Sequence, residues 1–148
     1  NTSGSSGSCT GNAAGLTGSP NITVGTIGCG AITGTSTISD SKGNVRNIPQ
    51  SAQSSSYTCV AADAGKHVYA TMSSGSNVTL PASVFVAGDA VTIINNSANT
   101  LSVVSGSGLT LYNTADAATG NRTLAARGMA TVLYVGATGA YISGSGLS

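Results

Sequence analysis

The sequence predicts an all-β protein: an extended N-terminal arm over residues 1–50, then a compact antiparallel β-sandwich or jelly-roll-like domain over residues 51–148. Three observations carry that expectation. Short runs rich in Val, Ile, Thr and Tyr recur about every 8–12 residues, each closed by Gly, Asn or Ser, which is the spacing of sandwiches and small barrels. No stretch shows the apolar period of an ordinary helix, and a single turn at Ala82 to Phe85 is the best helical candidate. Phe85, the only Phe in a chain without Trp, lies between two β runs, where a large aromatic makes a natural core centre.

The first nineteen residues are almost wholly Gly, Ser, Thr and Asn, a flexible-linker composition. Ile22, Val24, Ile27 and Cys29 then alternate with polar residues, followed by single apolar positions at Ile32, Ile38, Val45 and Ile48. With Gly25, Gly28, Gly30 and Gly34 between them, these positions offer too little apolar surface for a separate core. Two outcomes fit: a disordered segment, or strands that gain burial from neighbouring chains, as in an intertwined trimeric shaft. Asp40 to Asn44 is a turn cluster, and Asn47-Ile48-Pro49 marks the boundary, because the residue before Pro is pushed to extended backbone.

From Tyr57 onward the apolar density rises. Tyr57 to Ala61 reads as a short strand and Asp63-Ala64-Gly65 as a turn. Lys66 to Met72 alternates, placing Val68, Ala70 and Met72 on one face. Ser73 to Ser76 turns into Asn77 to Leu80, where Val78 and Leu80 share a side until Pro81, which cannot donate to a ladder. Ala87-Gly88-Asp89 supplies a turn, with Gly free to take positive φ and Asp able to bond the nearby backbone. Ala90 to Ile94 resumes the β run, and Thr100 to Val104 follows as its expected hairpin partner. Leu109 to Tyr112, Arg122 to Leu124 and Met129 to Val135 are further strands. Ala125 to Gly128 is a turn, and Ala140 to Ser143 leads into a Gly/Ser tail.

Composition narrows function by exclusion. Charged residues are 6 % of the chain, with a net charge of +1 and no Glu, against about 25 % charged in ordinary domains. Five scattered Lys and Arg residues make no basic patch, so nucleic acid is not an expected partner. No apolar run reaches the roughly 18 residues of a membrane span. The chain opens at Asn1 without Met, so processing or truncation is expected, and no signal peptide is visible.

Chemistry-bearing motifs are equally sparse. The three cysteines, Cys9, Cys29 and Cys59, have no CxxC spacing and read as small buried apolar residues. Cys9 and Cys29 could instead pair, with each other or between chains. His67, the only His, could be drawn with Asp63 and a Ser as a triad, but it sits on an alternating strand with no nucleophile elbow nearby. Asp40, Asp63, Asp89 and Asp116 fall mostly in turns, where backbone capping explains them. Arg122 and Arg127 read as solvated charges bracketing a turn, with an acidic glycan or a subunit as the alternative partner. Five Asn-x-Ser/Thr sequons, at Asn1, Asn21, Asn77, Asn95 and Asn121, are close to chance in so Ser/Thr-rich a chain. No catalytic, cofactor-binding or metal-ligating residue is assigned, and partner-binding residues are unknown.

Five stretches in order nevertheless form a pattern. Ser55 to His67, Val84-Phe85 with Ala87 to Ile93, Thr119 to Ala125, Arg127 to Leu133, and Ile142 to Leu147 together resemble a C-terminal module common in structural proteins of marine tailed bacteriophages, cyanophages among them. The resemblance spans residues 40–148. Upstream, Leu16 to Gly25 looks like the shaft-like repeats that precede the module in such fibres. The resemblance implies a non-enzymatic virion surface protein, a homotrimer on tail fibres, appendages or the capsid, joined to other virion proteins through its arm. Host attachment through a surface glycan or receptor is the leading expectation, with capsid decoration as the alternative. No functional residues are defined for the module, so none is carried over.

Overall fold

The structure is a computed structural model and describes residues 39–40, 43–45 and 47–148. Cys9, Cys29 and the proposed intertwined or disordered segment of the arm lie outside the described residues. Ser39–Asp40 (β1) pairs antiparallel with Gly43–Asn44 (β2). From Gln50 onward a nine-stranded hydrogen-bonded sheet is built. Its strands are β3 Gln50–Gln53, β4 Tyr57–Thr58, β5 His67–Ala70, β6 Asn77–Leu80, β7 Ala90–Asn95, β8 Leu101–Ser105, β9 Thr110–Asn113, β10 Arg122–Tyr134 and β11 Gly139–Leu147.

The all-β expectation is met, but the sandwich or jelly roll is not: the strands form a β-solenoid of about three turns. β3, β5 and β7 stack in parallel, with Gln50 beside His67 and His67 beside Thr92. β4, β6 and β8 stack the same way, Tyr57 beside Val78 and Val78 beside Val103. The difference has a physical reason. Alternation fixes which side of a strand is buried, but it does not say which strand lies beside it. A hairpin needs a loop of about 2–5 residues. Here Pro81 through Asp89 carry the chain from β6 around a corner, so that β7 lands on the preceding coil. β8 is not the hairpin partner of β7 either, although Asn96 to Thr100 is short enough for a hairpin; it pairs with β6 and β10.

The last coil closes by reversal. β10 runs antiparallel to both stacks, Arg122 to Leu124 lying on β8 and Met129 to Leu133 on β7. The expected turn at Ala125 to Gly128 is a corner within one 13-residue strand, where Arg127 takes a φ of 62°. β11 then lies antiparallel on β10 and parallel on β9. The expected Gly/Ser tail is therefore paired: Ser143, Gly144 and Ser145 sit beside Thr131, Ala130 and Met129. Unpaired ladders invite edge-to-edge association, and this reversal covers those of β7 and β8. At the opposite end the inward positions of β3 are Ser51 and Gln53, half-buried and bonded to each other at 3.1 Å. Among the described residues this is the outermost coil of the stack, and its inward positions are polar where those of β5 and β7 are apolar.

The core follows the sequence pattern closely. Val68, Ala70, Met72, Val78, Leu80, Val91 and Ile93 are all buried. Phe85 is buried and stacks on Tyr134, with ring centroids 4.4 Å apart and planes at 26°. The segment carrying it is not helical. It bends, with Ser83 at a φ of 59°, and is tied to the β10–β11 connection by Ser83 N–H donating to Ala137 O at 2.7 Å. The one helical turn among the described residues is instead Ala61–Asp63, a 3-10 turn.

The Tyr134 hydroxyl is buried and has no hydrogen-bond partner. A polar group in that position costs stability, so Tyr134→Phe should leave the urea midpoint unchanged or raised, within about 0.5 kcal/mol. Phe85→Ala, which removes the other half of the stack, should lose about 3–5 kcal/mol. A large loss in Tyr134→Phe would show that the hydroxyl does contribute to the fold.

Candidate interaction surface

Alternation that buries one side of each strand turns the other outward, and the two stacks turn out very different residues. On the β4–β6–β8 side the outward positions are Thr58, Thr79 and Val104 in one row and Asn77, Ser102 and, across the ladder to β10, Thr123 in another. On the β5–β7–β10–β11 side they are Tyr69, Ile94 and Met129 in one row and Ala90, Leu133 and Tyr141 in another. Between these rows runs a polar one: His67, Thr92, Thr131 and Ser143.

The polar row is held together by its own hydrogen bonds. Thr92 Oγ1 and Thr131 Oγ1 share one at 3.0 Å, and His67 Nε2 meets Gln50 Oε1 at 3.1 Å. Tyr112 and Tyr141 stack across the β9–β11 ladder, with centroids 5.0 Å apart and planes at 22°. Asn96 Nδ2 donates to the Tyr69 hydroxyl, and Arg127 Nη1 donates to Asn96 Oδ1 and, at 3.2 Å, to Asn96 O. Arg127 therefore marks one corner of the face and does not stand on it. Met129 is 51 % exposed, Leu133 46 %, Val135 52 % and Tyr141 43 %.

The residues singled out for chemistry are occupied structurally, and of them Asp63 and Cys59 lie near each other. Asp63 is buried, its Oδ2 accepting from the Tyr57 hydroxyl and from Val60 N–H, each at 2.8 Å. His67 has Gln50 as its side-chain partner. Asp89 Oδ2 accepts from Val86 N–H at 3.0 Å, and Asp116 Oδ1 accepts from Ala118 N–H at 2.9 Å, as turn-capping carboxylates do. Arg122 Nη1 donates to Asn121 O at 3.1 Å, while its Nε and Nη2 are buried without partners. Asn95 is also buried, so its sequon offers no glycan acceptor in the folded chain. No group of three or more His, Cys, Asp or Glu side chains that could hold a metal occurs among the described residues.

Cys59 is a buried free thiol. Burial, and then the Asp63 carboxylate, push its pKa up from 9.0 to about 12. Burial and the hydrogen bond to Asp63 raise the Tyr57 phenol from 10.0 to about 12, and burial also raises Tyr134. Since the thiolate is the nucleophile, iodoacetamide at mildly alkaline pH should label Cys59 only after unfolding, as read by peptide mapping. The raised values also set a sign. The protonated groups favour the folded state fully below pH 9, and that contribution is lost as pH rises towards 12. Thermal melts should therefore fall across this alkaline window, and Cys59→Ser should flatten part of the fall.

Sequence reasoning did not single out the outward face. Its only signal was the complement of the core alternation, visible in Ile94, Met129, Leu133 and Tyr141 once their strands are paired. No protein-family model and no curated protein matches this chain.

Proposed function

We propose that this chain is a non-enzymatic protein of a tailed-bacteriophage virion surface, a homotrimeric fibre or appendage component that takes part in host attachment. The observation that supports the reading is the solenoid itself, a form compatible with a fibre-like protein. The outward rows of its β7, β10 and β11 strands are hydroxylic or apolar and carry no formal charge. The five stretches that resemble phage virion modules build structural features of that solenoid: the Asp63 turn, the Phe85 segment with β7, both halves of β10, and β11. In this reading the partners are further copies of the chain, other virion proteins reached through residues 1–50, and a host surface glycan or receptor.

The test is mass spectrometry of purified phage particles whose genome encodes the chain, paired with adsorption assays in the presence of an antibody against it. The expected result is the chain in the particle and blocked adsorption. Its absence from purified particles would overturn the proposal. Unchanged adsorption, together with capsids that lose heat or low-salt resistance when the protein is removed, would replace attachment with capsid decoration.

A further inference from the structure

We infer that the outward face of β7, β11 and the second half of β10 is the surface through which copies of this chain bind one another. The inference rests on the assembly role proposed above and names the surface that would serve it.

Three observations lead to it. First, large apolar side chains are concentrated on this side. Register sets Ile94 beside Met129 and Leu133 beside Tyr141, and Val135 follows at the end of β10, its N–H bonded to Gly139 O at 3.0 Å. Neighbouring strands lie about 4.7–4.9 Å apart, so the members of each pair lie side by side, and the hydroxylic Thr92–Thr131 row runs between the two apolar rows. Water contact costs such apolar rows about 25 cal/mol for each Å², and exposed apolar surface bordered by polar residues marks interaction sites. The β4–β6–β8 side, built on the same backbone plan, presents Thr58, Asn77, Thr79 and Ser102, with the half-buried Val104 as its one large apolar residue. Exposure alone therefore does not account for the apolar side.

Second, the face lacks formal charge. None of its outward residues on β7, β11 and the second half of β10 (Ala90, Thr92, Ile94, Met129, Thr131, Leu133, Tyr141, Ser143) is Asp, Glu, Lys or Arg. A partner that brought charges to this face would bury them unpaired, which is strongly unfavourable. The fitting partner is a face that is itself apolar, hydroxylic and uncharged, and a second copy of this chain supplies one.

Third, nothing electrostatic keeps copies apart. With a net charge of +1, long-range repulsion between identical molecules is slight. The central Thr92–Thr131 pair shares one hydrogen bond, and a hydroxyl on the facing copy can accept the remaining O–H.

Sedimentation equilibrium of the full chain tests this, using wild type, Leu133→Glu and Thr131→Glu on the face, and Ser102→Glu on the hydroxylic side as a control of equal charge. Far-UV circular dichroism reports folding of each. The expected result is a self-associating wild type, association weakened about tenfold or more in both face variants, and wild-type behaviour in the control. Thr131→Glu keeps the test valid if Leu133→Glu does not fold. A wild type that stays monomeric to high micromolar concentration overturns the inference. So do face variants that associate like wild type, or a control that weakens association equally; in these cases the face is left to a different partner, such as a host receptor. Because association is read in solution, its failure is separable from failure of the virion assignment, which is read on particles.

Discussion

Gly144→Ala is expected to cost about 3 kcal/mol or more of stability through a single added methyl group. A Cβ at Gly144 would stand 2.2 Å from Met129 O, 2.4 Å from Ala130 Cα and 2.7 Å from Ala130 Cβ. Two of these three atoms are backbone, on the strand that pairs with Gly144, so no rotamer change relieves the clash. β10 and β11 must separate locally, and β10 is also the strand that closes both stacks. Damage at Gly144 therefore spreads to the ladder with β7. Gly136→Ala is the matched control, because a Cβ there meets nothing within 4 Å; it should change stability by no more than about 0.5 kcal/mol. Urea midpoints of the two variants, measured side by side, check the prediction. Equal midpoints would mean that β11 does not lie where the register places it.

Asn95→Ala is expected to lose about 2–4 kcal/mol. The Asn95 side chain is buried where β7 leaves the coil. Its Nδ2 donates to Asn99 O at 2.8 Å, Ala125 O at 2.9 Å and Leu124 O at 3.1 Å. Its Oδ1 accepts from Ser97 Oγ at 2.8 Å and Ser97 N–H at 3.2 Å. One amide thus ties the β7–β8 corner to the corner of β10. Truncation would leave buried carbonyls without this donor, which costs more than a hydrogen bond contributes. Asn95→Asp sharpens the test because it keeps the shape and removes the donors. Its carboxylate would face three carbonyl oxygens, raising its folded pKa above the ordinary value of about 4. That variant should be most stable below about pH 4 and lose stability as pH rises through the raised value. Wild type has no titrating group at this position. Melting curves from acid to neutral pH distinguish the two behaviours.

These two residues show where the sequence was legible and where it was not. The buried sides of β5, β6 and β7 could be read directly, because Val68 and Ala70, Val78 and Leu80, and Val91 and Ile93 alternate with polar neighbours. The turn at Gly88-Asp89 was legible for the same local reason: Gly88 takes a φ of 94° and Asp89 caps Val86. Stacking order was not legible. A solenoid announces itself through a fixed repeat length, yet the coil from Gln50 to His67 is shorter than the one from His67 to Thr92. Gly144 reads as one more glycine in a polar tail until its partner Ala130 is known. Asn95 reads as a turn residue until the carbonyls of Leu124 and Ala125 arrive from a distant part of the chain. The candidate surface was hidden likewise, since Ile94, Met129, Leu133 and Tyr141 become neighbours only through pairing.

The account stands or falls on where this protein resides, and gold-labelled antibody viewed by electron microscopy on purified phage particles reads that directly. Label on the fibres or appendages is the predicted result and would make receptor binding the next assay. Label confined to the head would contradict the attachment role and leave decoration. Particles that carry the gene and show no label would contradict the virion assignment altogether.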